Sequence, residues 1–309
     1  KKRAVVQNVI MFVIFTICSV TCMYYKWSVN TLVFFLLEFV YLILFIVLYR
    51  LIYPDCSIQI VNNMSMLMML GFVMVERLAP SSAFKQFVIV LIGTVIGFFV
   101  PRFMRKRHTI VKMKYLFAVI GILMLGITLV LGKTTWGAQI SVDIAGFSFQ
   151  PSEFVKLIYV LFVAAMLWRA RTFGKVVASA AIAAFHVLVL VASNDLGTAL
   201  IFFVVYIVML YVGTGKIRYL IAGLLTGCGA AVFAYKVFSH VRTRVYAWRD
   251  PWSIIDKGGY QITQSLFAIG TGGLFGMGLY QGLPNTIPVA VKDFVFAAMS
   301  EEFGMIFAI

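Results

Sequence analysis

Residues 240–304 read HVRTRVYAWRDPWSIIDKGGYQITQSLFAIGTGGLFGMGLYQGLPNTIPVAVKDFVFAAMSEEFG and form the only long polar interval in a chain that is otherwise a succession of apolar runs. The interval holds three of the seven prolines, paired tryptophans and many glycines, and its end places Lys292-Asp293 beside the next apolar run. Prolines and glycines at this density interrupt regular helices. The stretch therefore predicts a long polar loop, with short helical or re-entrant pieces, between membrane spans.

The composition outside this interval is that of an integral membrane protein. Of the 309 residues, 62% are hydrophobic and 12% are charged, and the mean hydropathy is +1.01. A soluble domain carries about 25% charged residues, and a helix needs about 20 apolar residues to cross a bilayer. We therefore predict an all-α polytopic membrane protein with about ten transmembrane helices, near residues 4–25, 31–53, 59–76, 86–103, 113–132, 153–168, 175–193, 196–213, 217–238 and 293–309.

Lysine and arginine are distributed unevenly over the connections between these spans, which predicts the orientation of the chain. With the N-terminus in the cytoplasm, most of them fall on the inner side, and the short outer loops hold only Lys26, Arg77, Lys85 and Lys133. This explains much of the net charge of +15 without nucleic-acid binding. The loop 239–292 is then extracytoplasmic. Its own cations need another reason, and an anionic ligand such as phosphate is the natural one: Arg242, Arg244, Arg249, Lys257 and Lys292.

Two candidate sites precede the loop. Glu153 falls in the first turn of a predicted helix, where the helix dipole favours an acid, or it contributes to a functional site. Lys156 lies about one turn further in, and it either snorkels to the surface or pairs with an acid in a polar cavity. In the short turn Ser193-Asn194-Asp195, either Asn194 or Asp195 is the N-cap of the next helix. Asp195 is alternatively a carboxylate presented at the outer face, and capping is the better supported role.

Within the loop, the glycine-rich segment around Gln264 and Ser265 either allows close approach of backbone to substrate or lets half-helices pack. Asp293 is the sharpest candidate for chemistry, as a general base or metal ligand, although a first-turn acid is the simpler alternative. Glu301 and Glu302 follow about two helical turns later. Asp293 and Glu301 are therefore expected to share a helical face and to line one polar cleft.

The sequence lacks the residue patterns of several other common activities. The sequence contains no phosphate-binding P-loop, zinc-ligand pair or serine-hydrolase motif, which argues against an ATP-driven transporter. The four cysteines lie in or beside apolar spans without metal-ligand spacing, so we interpret them as small core residues.

Four ordered segments carry a family resemblance: GFSFQPSEFVKL at 146–157, NDLGTAL at 194–200, GGYQITQSLFAIGTGGLFGMGL at 258–279, and P-x-A-x-x-DFVFAAMSEEFG at 288–304. They resemble the signature segments of the SEDS proteins, the RodA, FtsW and SpoVE peptidoglycan glycosyltransferases. The resemblance covers about residues 64–309. It implies an extra N-terminal two-helix segment over 1–58, a family core over 59–309 that includes an outer catalytic loop 239–292, and a natural chain that continues beyond Ile309 into the last helices of the family.

The resemblance also implies an activity. SEDS proteins polymerise lipid II at the outer face of the bacterial cytoplasmic membrane, beside a class B penicillin-binding protein, in elongation, division or sporulation. Asp293 matches the essential acid of the family. In such chemistry an acid acts as base on the attacking hydroxyl, and cations, or a divalent ion such as Mg²⁺ or Mn²⁺ held by Asp293, stabilise the departing pyrophosphate. A lipid II flippase using the same cavity is the alternative. The further substrate-binding candidates are Glu153, Lys156, Asp195, Arg242, Arg244, Lys257, Gln264, Ser265, Lys292 and Glu302.

Overall fold

A computed structural model describes residues 2–135, 138–144, 147–168 and 172–309 of the chain. These residues divide into two compact units, one formed by residues 1–100 with 239–309 and the other by residues 101–238. The first unit thus brings the N-terminal helices together with the long polar loop and the C-terminal segment.

Helices make up most of both units. In chain order they are α1 (Lys2–Tyr25), α2 (Val29–Ile52), α3 (Ile58–Leu78), α4 (Pro80–Met104), α5 (Arg107–Lys112), α6 (Lys114–Leu131), α7 (Pro151–Leu167), α8 (Phe173–Ala192), α9 (Leu196–Thr214), α10 (Ile217–Val237), α11 (Ser239–Arg249), α12 (Tyr260–Gly272), α13 (Val295–Phe303) and α14 (Met305–Ala308). Shorter turns of 3₁₀- and π-helix lie at Trp252–Ile254, Ile255–Gly259 and Pro284–Thr286. The loop 239–292 is therefore largely helical, as its predicted short pieces indicated.

Eight helices within the described residues are long and apolar enough to cross a membrane, namely α1 to α4, α6 and α8 to α10. The prediction of a helical, multi-pass membrane protein is confirmed. The sixth predicted span, 153–168, corresponds to α7, which has 17 residues. At 1.5 Å per residue α7 extends for about 26 Å, slightly less than the hydrocarbon thickness of about 30 Å.

The last predicted span, 293–309, is not one helix. The chain turns non-helically before α13 begins at Val295, and Gly304 with φ +83° separates α13 from α14. A glycine adopts such a left-handed conformation at little cost, which makes it a common helix terminator. The apolar composition of this stretch predicted one continuous span, and that prediction is wrong because Gly304 ends α13.

A small sheet lies between α6 and α7. Strands β1 (Lys133–Thr135), β2 (Ala138–Ile144) and β3 (Phe147–Phe149) pair antiparallel in the order β1-β2-β3, with Lys133 opposite Ser141 and Val142 opposite Phe149. The residues Gln139 to Ile144 alternate polar and apolar side chains, which is the strand pattern. This sheet is an addition to the all-α fold that the sequence predicted.

Aromatic side chains pack the interior of each unit. In the first, Tyr41 lies against Phe72 and Phe87 with ring centroids 5.8 and 5.7 Å away. In the second, Tyr159 and Phe202 are centred 4.4 Å apart. Between membrane helices lipid tails are as apolar as the side chains, so close packing, rather than transfer out of water, holds such clusters together.

Candidate functional site

Close backbone packing fixes the position of α12 on α13. A Cβ atom added to Gly272 would lie 2.2 Å from the Ser300 carbonyl oxygen, and one added to Gly276 would lie 2.4 Å from the Glu302 carbonyl oxygen. No side chain fits at such distances. Of the two interpretations of the glycine-rich segment, the structure supports packing at these two positions: they let the segment after α12 lie directly on the C-terminal end of α13.

Asp293 lies at the surface, two residues before α13 begins. Its backbone N–H donates to the Val289 carbonyl at 3.1 Å, and Val289 itself has φ +59°. Among the described residues, its carboxylate makes no hydrogen bond or ion pair with the protein. An exposed carboxylate without a protein partner is available to a ligand or to solvent, which is what a general base requires.

The expected cleft between Asp293 and Glu301 does not form. Because α13 begins at Val295, Asp293 is outside the helix, and Glu301 is buried at 5% exposure on the side of the segment 277–283. The Glu301 carboxylate accepts the Leu283 N–H at 3.1 Å, and the Glu302 carboxylate accepts the Tyr280 N–H at 3.2 Å. These two acids therefore hold the segment 277–283 in place, and a substrate contact of Glu302 stays a prediction.

Arg77, which the sequence placed among the few cations of the short outer loops, is the partner of Glu302. Its guanidinium donates to Glu302 Oε1 at 2.9 Å and to the Gly282 carbonyl at 3.3 Å, and it lies 4.3 Å from the centre of the Tyr280 ring. Its side chain is 12% exposed and that of Glu302 is fully buried. No local pattern pointed to this pair, because the two residues are 225 positions apart.

Burial affects the two titratable groups that meet Arg77. Desolvation raises the pKa of the Glu302 carboxyl above its ordinary value, while the Arg77 guanidinium opposes that shift by stabilising the charged form. Desolvation also raises the pKa of the Tyr280 hydroxyl. Tyr280 is therefore a neutral phenol at physiological pH.

The cations predicted to bind an anion differ in what the structure says of them. Arg242 and Arg244 are exposed on α11, where residues two apart point in different directions. Lys292 is exposed next to Asp293. The side chain of Lys257 lies outside the described residues, although its backbone belongs to the turn Ile255–Gly259. The exposed side chains of Arg242, Arg244 and Lys292 are available to a ligand.

The polar pair on α12 is less available. Gln264 is half-buried, and Ser265 is buried with its hydroxyl donating to the Ile262 carbonyl at 2.7 Å. Ser265 thus satisfies its donor within its own helix. A substrate contact from either side chain stays a prediction.

The second unit contains the remaining candidates. Lys156 pairs with Glu153 at 2.7 Å, one turn apart at the start of α7, so the lysine has an acidic partner in its own helix. The Asp195 carboxylate accepts the Thr198 N–H at 3.1 Å as the N-cap of α9. The capping interpretation of Asp195 is confirmed. All three side chains thus make contacts at the start of their own helix. A role in substrate binding stays a prediction for Glu153, Lys156 and Asp195.

A metal site built from protein side chains alone does not appear in the part of the chain that the structure describes. No group of three histidine, cysteine or acidic residues is placed to hold an ion there. Mg²⁺, however, is commonly bound through one or two carboxylates together with substrate phosphates. The exposed Asp293 carboxylate fits this mode, in which one protein carboxylate and the substrate phosphates share the ion.

The membrane-length helices define a polytopic membrane protein. Its first unit contains one candidate site, where the folded polar loop ends at the exposed Asp293 carboxylate. The family model for the FtsW, RodA and SpoVE proteins, described as cell cycle protein, matches residues 55–309. The chain therefore belongs to the FtsW/RodA/SpoVE family, and the SEDS resemblance of its motifs is confirmed.

Individual relatives agree. The chain is 33% identical over 263 residues to the peptidoglycan glycosyltransferase RodA of Mycobacterium leprae, covering 77% of this chain and 56% of that protein. It is 34% identical over 184 residues to a probable peptidoglycan glycosyltransferase FtsW of Geobacter sp., covering 57% and 50%. The chain thus spans about half the length of the curated relatives it matches. A chain in a solved peptidoglycan synthase complex shares the fold, with a TM-score of 0.64 at 23% identity, covering 82% of this chain and 73% of that one.

Proposed function

We propose that the protein is a peptidoglycan glycosyltransferase that polymerises lipid II at the outer face of the bacterial cytoplasmic membrane. The observation that carries the proposal is the 33% identity to RodA of Mycobacterium leprae over 263 residues. The exposed Asp293 carboxylate is the group in this chain that fits the required chemistry.

In the proposed reaction, the C4 hydroxyl of one lipid-linked disaccharide attacks the anomeric carbon of the growing glycan. A C–O bond forms there, the bond from that carbon to the lipid pyrophosphate oxygen breaks, and the hydroxyl proton passes to Asp293. A base on the attacking group and positive charge on the leaving group are the two requirements of such a transfer. Lys292, Arg242 and Arg244 provide cations that can approach the pyrophosphate.

A divalent cation fits the same site as a second source of positive charge. Asp293 would hold it together with phosphate oxygens of the substrate, and the ion would neutralise charge that develops on the departing pyrophosphate. The proposal does not require this ion, because the exposed cations serve the same end.

Topology and partner complete the proposal. The lysine and arginine distribution supports a cytoplasmic N-terminus and an extracytoplasmic loop 239–292. A class B penicillin-binding protein is the proposed partner, supported by the similarity to a chain of a solved peptidoglycan synthase complex. Elongation, division and sporulation are all compatible with this role.

Reconstitution tests the reaction class. The purified full-length protein is placed in vesicles with lipid II in one leaflet, and both glycan length and leaflet distribution are followed. A polymerase lengthens the glycan. Transfer of lipid II between leaflets without any glycan growth would identify a flippase and overturn the proposal.

A further inference from the structure

Tyr280 has an unusual backbone conformation for its residue type. Its φ is +71°, in the left-handed region that a non-glycine residue rarely adopts. Such a conformation is strained and persists only where the surrounding structure holds it. Something must therefore hold the segment 277–283, which connects α12 to the turns that end at Asp293.

Three groups from distant parts of the first unit hold Tyr280. The ring of Tyr25, the last residue of α1, stacks on the Tyr280 ring with centroids 5.4 Å apart and planes 15° from parallel. The Arg77 guanidinium lies 4.3 Å from the same ring. Glu302 accepts the Tyr280 N–H, and Gln281 donates to the Tyr25 hydroxyl. Tyr25 thus contacts two consecutive residues of the segment.

Consecutive turns connect this point to Asp293. The Thr286 N–H donates to the Leu283 carbonyl at 3.0 Å, and the Ile287 N–H donates to the Pro284 carbonyl at 3.1 Å. The Ile287 side chain is buried at 2% exposure, and the Asp293 N–H closes the last turn. These turns overlap along the chain, so hydrogen-bonded backbone continues from Leu283 to Asp293 and connects the segment 277–283 to Asp293.

We propose that Tyr25 is a positioning residue for Asp293, so that the N-terminal helix α1 is a brace for the catalytic segment. The family match begins at residue 55, so this brace comes from a part of the chain outside the family core. The inference rests on the proposed glycosyltransferase function for its catalytic consequence. The mechanical part, that Tyr25 orders the segment 277–283, stands independently of that function.

The experiment compares Tyr25→Ala, Tyr25→Phe and Trp27→Ala in the full-length protein. Phenylalanine keeps the ring stack and loses only the bond to Gln281. Trp27 is an exposed aromatic residue close by, and its ring stacks on no other ring or cation in the described part of the chain. Hydrogen exchange of the segment 277–283 reports its order, and lipid II polymerisation gives kcat and KM.

For Tyr25→Ala we expect faster exchange at 277–283 and a kcat lower by about tenfold, with KM within about twofold, because misplacement of a base acts on the chemical step. Tyr25→Phe should recover most of kcat, and Trp27→Ala should match the wild type. Unchanged exchange in Tyr25→Ala overturns the brace itself. Faster exchange with an unchanged kcat overturns the positioning role, provided that Asp293→Asn is inactive. An active Asp293→Asn counts instead against the proposed function and leaves the brace to be judged by exchange alone.

Discussion

Arg77 Nη2 lies 2.9 Å from Glu302 Oε1, joining the end of α3 to α13 across 225 positions of sequence. The guanidinium also reaches the Gly282 carbonyl and the Tyr280 ring, so one side chain fixes both the end of α13 and the segment that lies on it. Much of the order around the candidate site therefore depends on a residue outside the loop that contains it.

Removing Arg77 should strongly destabilise the protein. Arg77→Ala leaves the buried Glu302 carboxylate without its cation, and breaking a buried pair in this way costs about 3–5 kcal/mol. Arg77→Lys keeps the positive charge but loses the forked geometry of the guanidinium, so its stability should lie between those of the wild type and Arg77→Ala. Thermal unfolding in detergent measures the effect, with the exposed Lys175→Ala as control. An Arg77→Ala protein as stable as the control would show that the pair contributes nothing.

Two glycines of α12 provide a matched pair. Gly272→Ala places a methyl group against the Ser300 carbonyl and should lower stability by about 1–3 kcal/mol, since the helices must separate. Gly270 has open space around it, so Gly270→Ala should be neutral or stabilising by about 0.5–1 kcal/mol through helix propensity. Melting temperatures of the two variants measure the difference. Equal effects would mean that α12 does not pack on α13 as described.

Glu38 is a buried acid without a partner. Its side chain is fully buried within α2, and neither carboxylate oxygen has a hydrogen-bond partner in the described structure. Replacing an unsatisfied buried polar group by an apolar one of similar size removes a cost of about 1–3 kcal/mol. Glu38→Met should therefore raise the melting temperature, and the exposed Asp55→Asn should not. A destabilised Glu38→Met would reveal a partner or a proton-linked role for this acid.

Substitutions of Asp195 distinguish a helix-capping role from a role of its negative charge in substrate binding. Asp195→Ala should cost about 1 kcal/mol of stability through loss of the bond to the Thr198 N–H. Asp195→Asn retains an N-cap oxygen, so stability and lipid II polymerisation should both stay close to the wild type. If Asp195→Asn is stable but inactive, the negative charge itself is needed and Asp195 belongs to the substrate site.

Local patterns predicted what depends on neighbours in sequence. The apolar runs predicted the membrane-length helices, the spacing of Glu153 and Lys156 fits their ion pair, and the turn before α9 offered Asn194 or Asp195 as the cap, of which the structure uses Asp195. The cap and the ion pair each depend on residues within one helical turn, and each span depends on a single continuous apolar run. Asp293 was located by the same reasoning, as a polar residue beside an apolar run.

Features that depend on tertiary contacts were not predicted from the sequence. The break at Gly304 reflects packing of its backbone against Gly276 as well as its own composition, and the apolar run alone reads as one span. Arg77 looked like one more charged residue at a membrane surface because its partner is in the C-terminal segment. The alternating pattern from Gln139 to Ile144 is short, and it becomes a sheet only through the pairing of β2 with β1 and β3.

The most direct test of the account is polymerisation of purified lipid II by Asp293→Asn. Loss of the base should lower the rate by about 10²–10⁴-fold while leaving the folded protein intact, since Asp293 is exposed and makes no side-chain bond in the described structure. Asp256→Asn, which changes another exposed acid of the same loop, should polymerise normally and have the same melting temperature. Glycan strands of normal length and rate from Asp293→Asn would contradict the central claim.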